Sequence, residues 1–131
     1  IIIDTSGSIS REMITEFLSE VDGIARANGV GQGLTVIPCD AEVGPIQKLR
    51  SRGSISELIL PGGGGTDLGV GILAASQLKP IPRIIIVLTD GFTPWPESIN
   101  PRIDRVIICL TESSSQETAP HWAEKIVIED D

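Results

Sequence analysis

Apolar residues fall along this chain in two rhythms. Short apolar runs at Ile1–Ile3, Leu34–Cys39 (broken by Pro38 near its end), Ile84–Leu88, Val106–Leu110 and Ile126–Ile128 read as strands, the first as expected of one buried on both faces. After the first run, Met13, Phe17, Val21 and Ile24 recur at helical spacing, with Ile14, Leu18 and Ala25 widening the stripe. This predicts an amphipathic helix over residues 10–28, capped by Ser10, with Glu12 in its first turn and Asn28-Gly29 as its stop. Asp40-Ala41-Glu42 links the second strand to Val43–Leu49 tightly enough for an antiparallel hairpin. Pro45 and Lys48 suit an edge strand there. Ser54–Leu60 reads as a short helix, and a second long helix is expected from Asp67 to Lys79, stopped by Pro80. A helical turn is expected over Ala119–Ala123. Strands alternating with helices predict an α/β fold. It would be a doubly wound, Rossmann-like and mostly parallel six-stranded sheet with one antiparallel edge strand and helices on both faces. No repeat or linker breaks the pattern, so residues 1–131 read as one domain. A start inside a strand, without Met, suggests a fragment of a longer protein.

Composition narrows the partners. Ten basic against eighteen acidic residues give a net charge of −8, which repels phosphate backbones and anionic lipid. Nucleic-acid and membrane-surface binding are therefore not expected, whereas a bound cation is favoured. Aromatic residues make up 3% of the chain, so the core must be aliphatic. Cys39 and Cys109 both lie in strand-like runs and read as reduced, buried thiols of a cytoplasmic protein. No apolar run approaches a membrane span.

The candidate chemistry sits where strands end. Asp4, Ser6 and Ser8 alternate directly after the first strand. Thr66 follows the glycine run 62–65, and Asp90 follows the run Ile84–Leu88. Open α/β sheets bind ligands beyond the carboxyl ends of their strands, where strand order reverses. Two carboxylates and three hydroxyls converging there form an all-oxygen set. Such a set suits Mg²⁺, with Mn²⁺ or Ca²⁺ as alternatives, and not zinc or iron. Two negative charges would balance the ion, and neutral hydroxyls would leave it electrophilic toward an outside anion.

Asp4-Thr-Ser-Gly-Ser8, Gly64-Gly65-Thr66-Asp67 and Leu88-Thr-Asp90-Gly91 together resemble the metal-ion-dependent adhesion site of von Willebrand factor A (VWA) domains. That site is D-x-S-x-S, a later Thr and a later Asp, and the resemblance covers nearly the whole chain. It implies that Ser6, Ser8 and Thr66 would touch the metal and that Asp4 and Asp90 would act through water. A partner's carboxylate would then fill the open position. Val36-Ile-Pro-Cys-Asp40-Ala-Glu-Val43 and the Gly62–Thr66 run are similar to prokaryotic VWA-like domains attached to a metallopeptidase-like domain and encoded near MoxR-type AAA+ ATPases. The expected partner is thus a protein offering an Asp or Glu side chain, a MoxR-type ATPase among the candidates. Gly64, Gly65, Phe92 and Trp95 would form the partner-binding rim. A helix-sliding switch is not expected, because the sequence has no helix after its last strand.

Enzymatic readings fit less well. An aspartic protease needs an all-β fold with a flap tyrosine, and this chain has no tyrosine. A haloacid-dehalogenase-type phosphotransferase could use Asp4 as nucleophile and Asp90 as a Mg²⁺ ligand. Its second, acid/base aspartate is replaced here by Ser6. A serine hydrolase would need the G-x-S-x-G elbow and a placed histidine, and His121 is the only histidine. The sequence therefore reads as a non-catalytic binding module, with the phosphotransferase as the alternative.

Overall fold

The computed structural model describes residues 1–6, 9–27, 34–50, 52–62, 65–111 and 119–128. Six strands form one sheet: β1 (Ile2–Asp4), β2 (Leu34–Cys39), β3 (Gln47–Leu49), β4 (Ile84–Thr89), β5 (Arg105–Leu110) and β6 (Glu124–Val127). Their order is β3-β2-β1-β4-β5-β6. All pairs are parallel except β2 with β3, so β3 is the antiparallel edge that the short 40–42 link required. The chain leaves β1 for β2 on one side, and β4 later takes the other side. Strand order therefore reverses between β1 and β4, and their carboxyl ends flank the crevice.

Helix α1 (Arg11–Ala27) begins as its sequence directs, with the Ser10 hydroxyl accepting the Met13 N–H at 3.1 Å. It buries Ile14, Phe17 and Leu18 against Ile3, Val36, Leu88 and Cys109 on one face of the sheet. Helix α2 (Leu68–Ser76) buries Leu68, Ile72 and Ala75 against Ile2, Ile37, Val87 and Ile108 on the other. Gly71 is needed there, since a Cβ would stand 3.1 Å from both Cys39 Sγ and Ile2 Cγ2. Each fully buried Ile, Leu or Val contributes about 1.5–3 kcal/mol, which is how a chain so poor in aromatics can hold a sheet together.

Several boundaries differ from the sequence reading. β3 is three residues long and not seven. Val43 makes only an isolated bridge to Cys39, and Gly44 donates to the Pro38 carbonyl before Pro45 interrupts the ladder. The 54–60 segment is a 3₁₀ helix at Arg52–Glu57. α2 ends at Ser76, three residues short of Lys79: the Gln77 and Leu78 N–H groups bond three residues back, to the Ala74 and Ala75 carbonyls, and Lys79, preceding proline, disfavours the helical region. The expected turn at 119–123 is present as a single turn, closed by the Ala123 N–H on the Pro120 carbonyl. The stop at Asn28-Gly29 and most of the 111–117 loop lie outside the described residues.

Trp95, Ile99 and Ile103, between β4 and β5, join the core on the α2 face, as does Trp122 just before β6. Strand alternation and the pairing of Ile126 with Cys109 put Ile84 and Ile126 on the α1 face. Cover thins there toward β6, and the two isoleucines stay 51% and 52% exposed.

Both cysteines are free and buried. Burial, with the Asp40, Asp4 and Asp67 carboxylates adding, pushes the Cys39 thiol up to about 11, and burial alone does the same for Cys109. Native protein at pH 8 should therefore react negligibly with a thiol-specific chromogenic disulfide, and two equivalents should react once guanidinium unfolds it. Because folding raises both thiol pKa values, their contribution to stability is complete below pH 9. It is lost as pH rises from 9 to 11. A melting temperature that stayed flat through that window would contradict this assignment.

Candidate metal centre

The last residue of β1, Asp4, is fully buried, which is costly for a carboxylate unless donors surround it. They do. Oδ1 accepts the Ser6 N–H at 2.9 Å and the Ser6 hydroxyl at 2.5 Å, and Oδ2 accepts the Thr89 hydroxyl at 2.7 Å. Thr89, also fully buried, closes β4 beside Asp4 and accepts the Gly91 N–H at 3.0 Å. Gly91 turns the chain at φ 90°, a conformation that glycine adopts without penalty. Asp90, between them, is partly exposed and accepts the Phe92 N–H at 3.0 Å in an Asx turn.

The third segment is drawn in by close packing and backbone bonds. Gly62 lies directly on the Thr5 carbonyl, so close that a Cβ there would stand 1.8 Å from that oxygen. Asp67 donates its N–H to the Asp40 carbonyl at the end of β2 at 2.9 Å. The next N–H, of Leu68, goes to the Thr93 hydroxyl at 2.9 Å, beyond Asp90. The turn carrying Thr66 is thus pinned between the ends of β2 and β4. The N-cap of α2 is Asp67, whose carboxylate accepts the Gly69 N–H at 3.1 Å.

Of the expected ligands, the structure brings Asp4 and Ser6 together by direct hydrogen bonds and ties the segments of Thr66 and Asp90 to the same strand ends. Ser8 and Gly64 lie outside the described residues. In the expected rim, Gly65 is exposed and Phe92 is 59% exposed, whereas Trp95 packs into the α2-side core with its indole N–H buried and unpartnered among the described residues. Trp122 packs against the α2-side core and donates to the Pro96 carbonyl at 3.0 Å. His121 is exposed. Among the described residues, no three acidic, histidine or cysteine side chains converge to hold a metal. An ion here would have to lean on hydroxyls.

The sense of the hydrogen bonds tests whether these residues suit a cation. The Ser6 and Thr89 hydroxyl protons point at Asp4, and the Thr89 oxygen is engaged by Gly91. The Ser6 oxygen, its proton committed inward, keeps lone pairs to offer elsewhere. A donor set arranged in this way presents electron pairs, which fits a hard cation and not an anion.

The sequence matches the VWA-like domain family DUF2201 over residues 1–129, and the chain belongs to that family. It is 35% identical over 95 residues to an uncharacterized protein of Thermotoga maritima, covering 72% of this chain and 23% of that protein. The chain thus spans about a quarter of the length of the curated relative it matches. The fold is similar to that of proximal thread matrix protein 1 from the mussel byssus, with a TM-score of 0.62 and 18% identity over 98% of this chain and 42% of that one. Among the described residues, no helix is long and apolar enough to cross a membrane.

Proposed function

We propose that this domain is a metal-ion-dependent protein-binding module that holds Mg²⁺ and recognises an acidic side chain of a partner. The observation carrying this reading is the buried Asp4 carboxylate with the Ser6 hydroxyl turned into it, which leaves the Ser6 oxygen as a cation ligand. Ser6, Ser8 and Thr66 would hold the ion directly, and Asp4 and Asp90 would balance its charge from behind. When bound, the ion supplies a Lewis-acidic position that a partner's Asp or Glu can occupy. Gly65 and Phe92 lie exposed on segments tied to these strand ends, where a partner's surface could rest. The likeness to VWA-like domains encoded near MoxR-type AAA+ ATPases makes such an ATPase the first partner to try, in a chaperone or metallopeptidase-like assembly inside the cell. Burial of Asp4 behind three donors leaves it poorly placed for nucleophilic attack, so the phosphotransferase alternative gains nothing here.

The test is a titration of the domain with Mn²⁺ followed by electron paramagnetic resonance. One saturable site is expected, with a dissociation constant on the order of 0.1–1 mM, displaced by Mg²⁺. A partner captured on the immobilised domain in Mg²⁺ should be released by EDTA. Absence of saturable Mn²⁺ binding, or a partner that stays bound in EDTA, would sink the proposal.

A further inference from the structure

Thr89 has no role in the ligand set, yet among the described residues it is the most enclosed hydroxyl at the candidate centre. It is fully buried at the end of β4, and pairing of Ile3 with Leu88 brings the next residues, Asp4 and Thr89, side by side. Its oxygen accepts the Gly91 N–H, and its own proton goes to Asp4 Oδ2. We propose that Thr89 is a positioning residue of the metal centre: its buried hydroxyl fixes the Asp4 carboxylate and, through it, the Ser6 oxygen. The inference rests on the metal-binding reading above.

Carboxylate torsions are soft and roughly two-fold, so a carboxylate gripped at one oxygen alone can swing. Asp4 is gripped at both. Ser6 holds Oδ1 from its own strand end, and Thr89 holds Oδ2 from the neighbouring strand. Without the Thr89 donor, Asp4 turns toward whatever donor or water is in reach, and the Ser6 hydroxyl turns with it. The same hydroxyl receives Gly91, the residue after Asp90, so one oxygen sets the β1 and β4 sides of the centre together. Partners that orient metal ligands without touching the metal typically change affinity 10- to 100-fold when removed.

Thr89→Val keeps shape and β-propensity and removes the donor; Thr89→Ser keeps the donor. Mn²⁺ affinity of both variants should be measured well below their melting temperatures, beside wild type and Val106→Ala, a core change away from the centre that also lowers stability. The expected result is an affinity loss of about 10-fold or more for Thr89→Val, near wild-type affinity for Thr89→Ser, and no loss for Val106→Ala. If Thr89→Val binds Mn²⁺ like wild type, or Val106→Ala loses as much, the positioning role is overturned while the metal reading stands. If wild type itself binds no Mn²⁺, both fall. Should Thr89→Val not fold, Thr89→Ala, which also removes the donor, takes its place, and wild-type affinity in that variant would equally overturn the role.

Discussion

Replacing Asp4 with alanine should abolish the thermal response of the domain to Mg²⁺. With the ion at about 100 times its dissociation constant, binding adds about 2.7 kcal/mol to stability. In a domain of this size that raises the melting temperature by about 10 °C. The Asp4→Ala protein should shift by less than about 1 °C under the same conditions. The substitution also leaves the Ser6 N–H, the Ser6 hydroxyl and the Thr89 hydroxyl without their acceptor. Each costs about 1–3 kcal/mol if it stays dry. Asp4→Asn separates the two effects. Its amide offers one acceptor and one donor, so it can satisfy Ser6 or Thr89 but not both. It should fold better than the alanine variant and still show no response to Mg²⁺. Differential scanning calorimetry with and without the ion reads both numbers. A wild-type Mg²⁺ shift in Asp4→Ala would remove Asp4 from the centre.

Gly62→Ala should be nearly as damaging, for a reason of space alone. The added methyl would stand 1.8 Å from the Thr5 carbonyl oxygen and 2.8 Å from Thr5 C and Cβ. None of these atoms is the end of a flexible side chain, so the 62–67 segment itself must move. Overpacking of this kind costs about 3 kcal/mol, and the displaced segment is the one that carries Thr66. The variant should therefore melt about 10 °C lower and bind Mn²⁺ more weakly. Gly65→Ala is the matched control, since the nearest atom to its Cβ is Ala41 Cβ at 4.0 Å. It should leave stability within about 0.5 kcal/mol of wild type. Equal melting temperatures for the two variants would show that Gly62 does not pack on Thr5.

Period and chemistry made the sheet and α1 legible. Val87–Leu88 and Ile108–Leu110 are apolar at successive positions because both faces are buried there, and Ser10 announced the start of α1 by its capping chemistry. The antiparallel edge was legible from the shortness of the 40–42 link. What failed were ends set by tertiary contact. Val43–Leu49 has strand composition throughout, but Gly44 is held by Pro38 and packed against Pro61, which only the folded chain brings near. At the centre, residue type and spacing pointed to Asp4, Ser6, Ser8, Thr66 and Asp90. Thr89 passed unnoticed because threonine is an ordinary strand residue. Its partner lies 85 positions away, and no local pattern marks a bond of that reach. Trp95 was expected at the rim from its neighbours, whereas packing on the α2 face draws it inward.

The thinly covered side of the sheet has a practical consequence. Ile84 and Ile126 stand half in water on a face continued by the partly buried Ile86 and Ile107, beside the Arg105–Glu124 ion pair. On a chain carrying a charge of −8, long-range repulsion keeps molecules apart at low ionic strength and fades as salt is added. This domain, handled alone, should therefore be a protein that clouds with salt, and a single lysine in place of Ile126 should be enough to keep it clear.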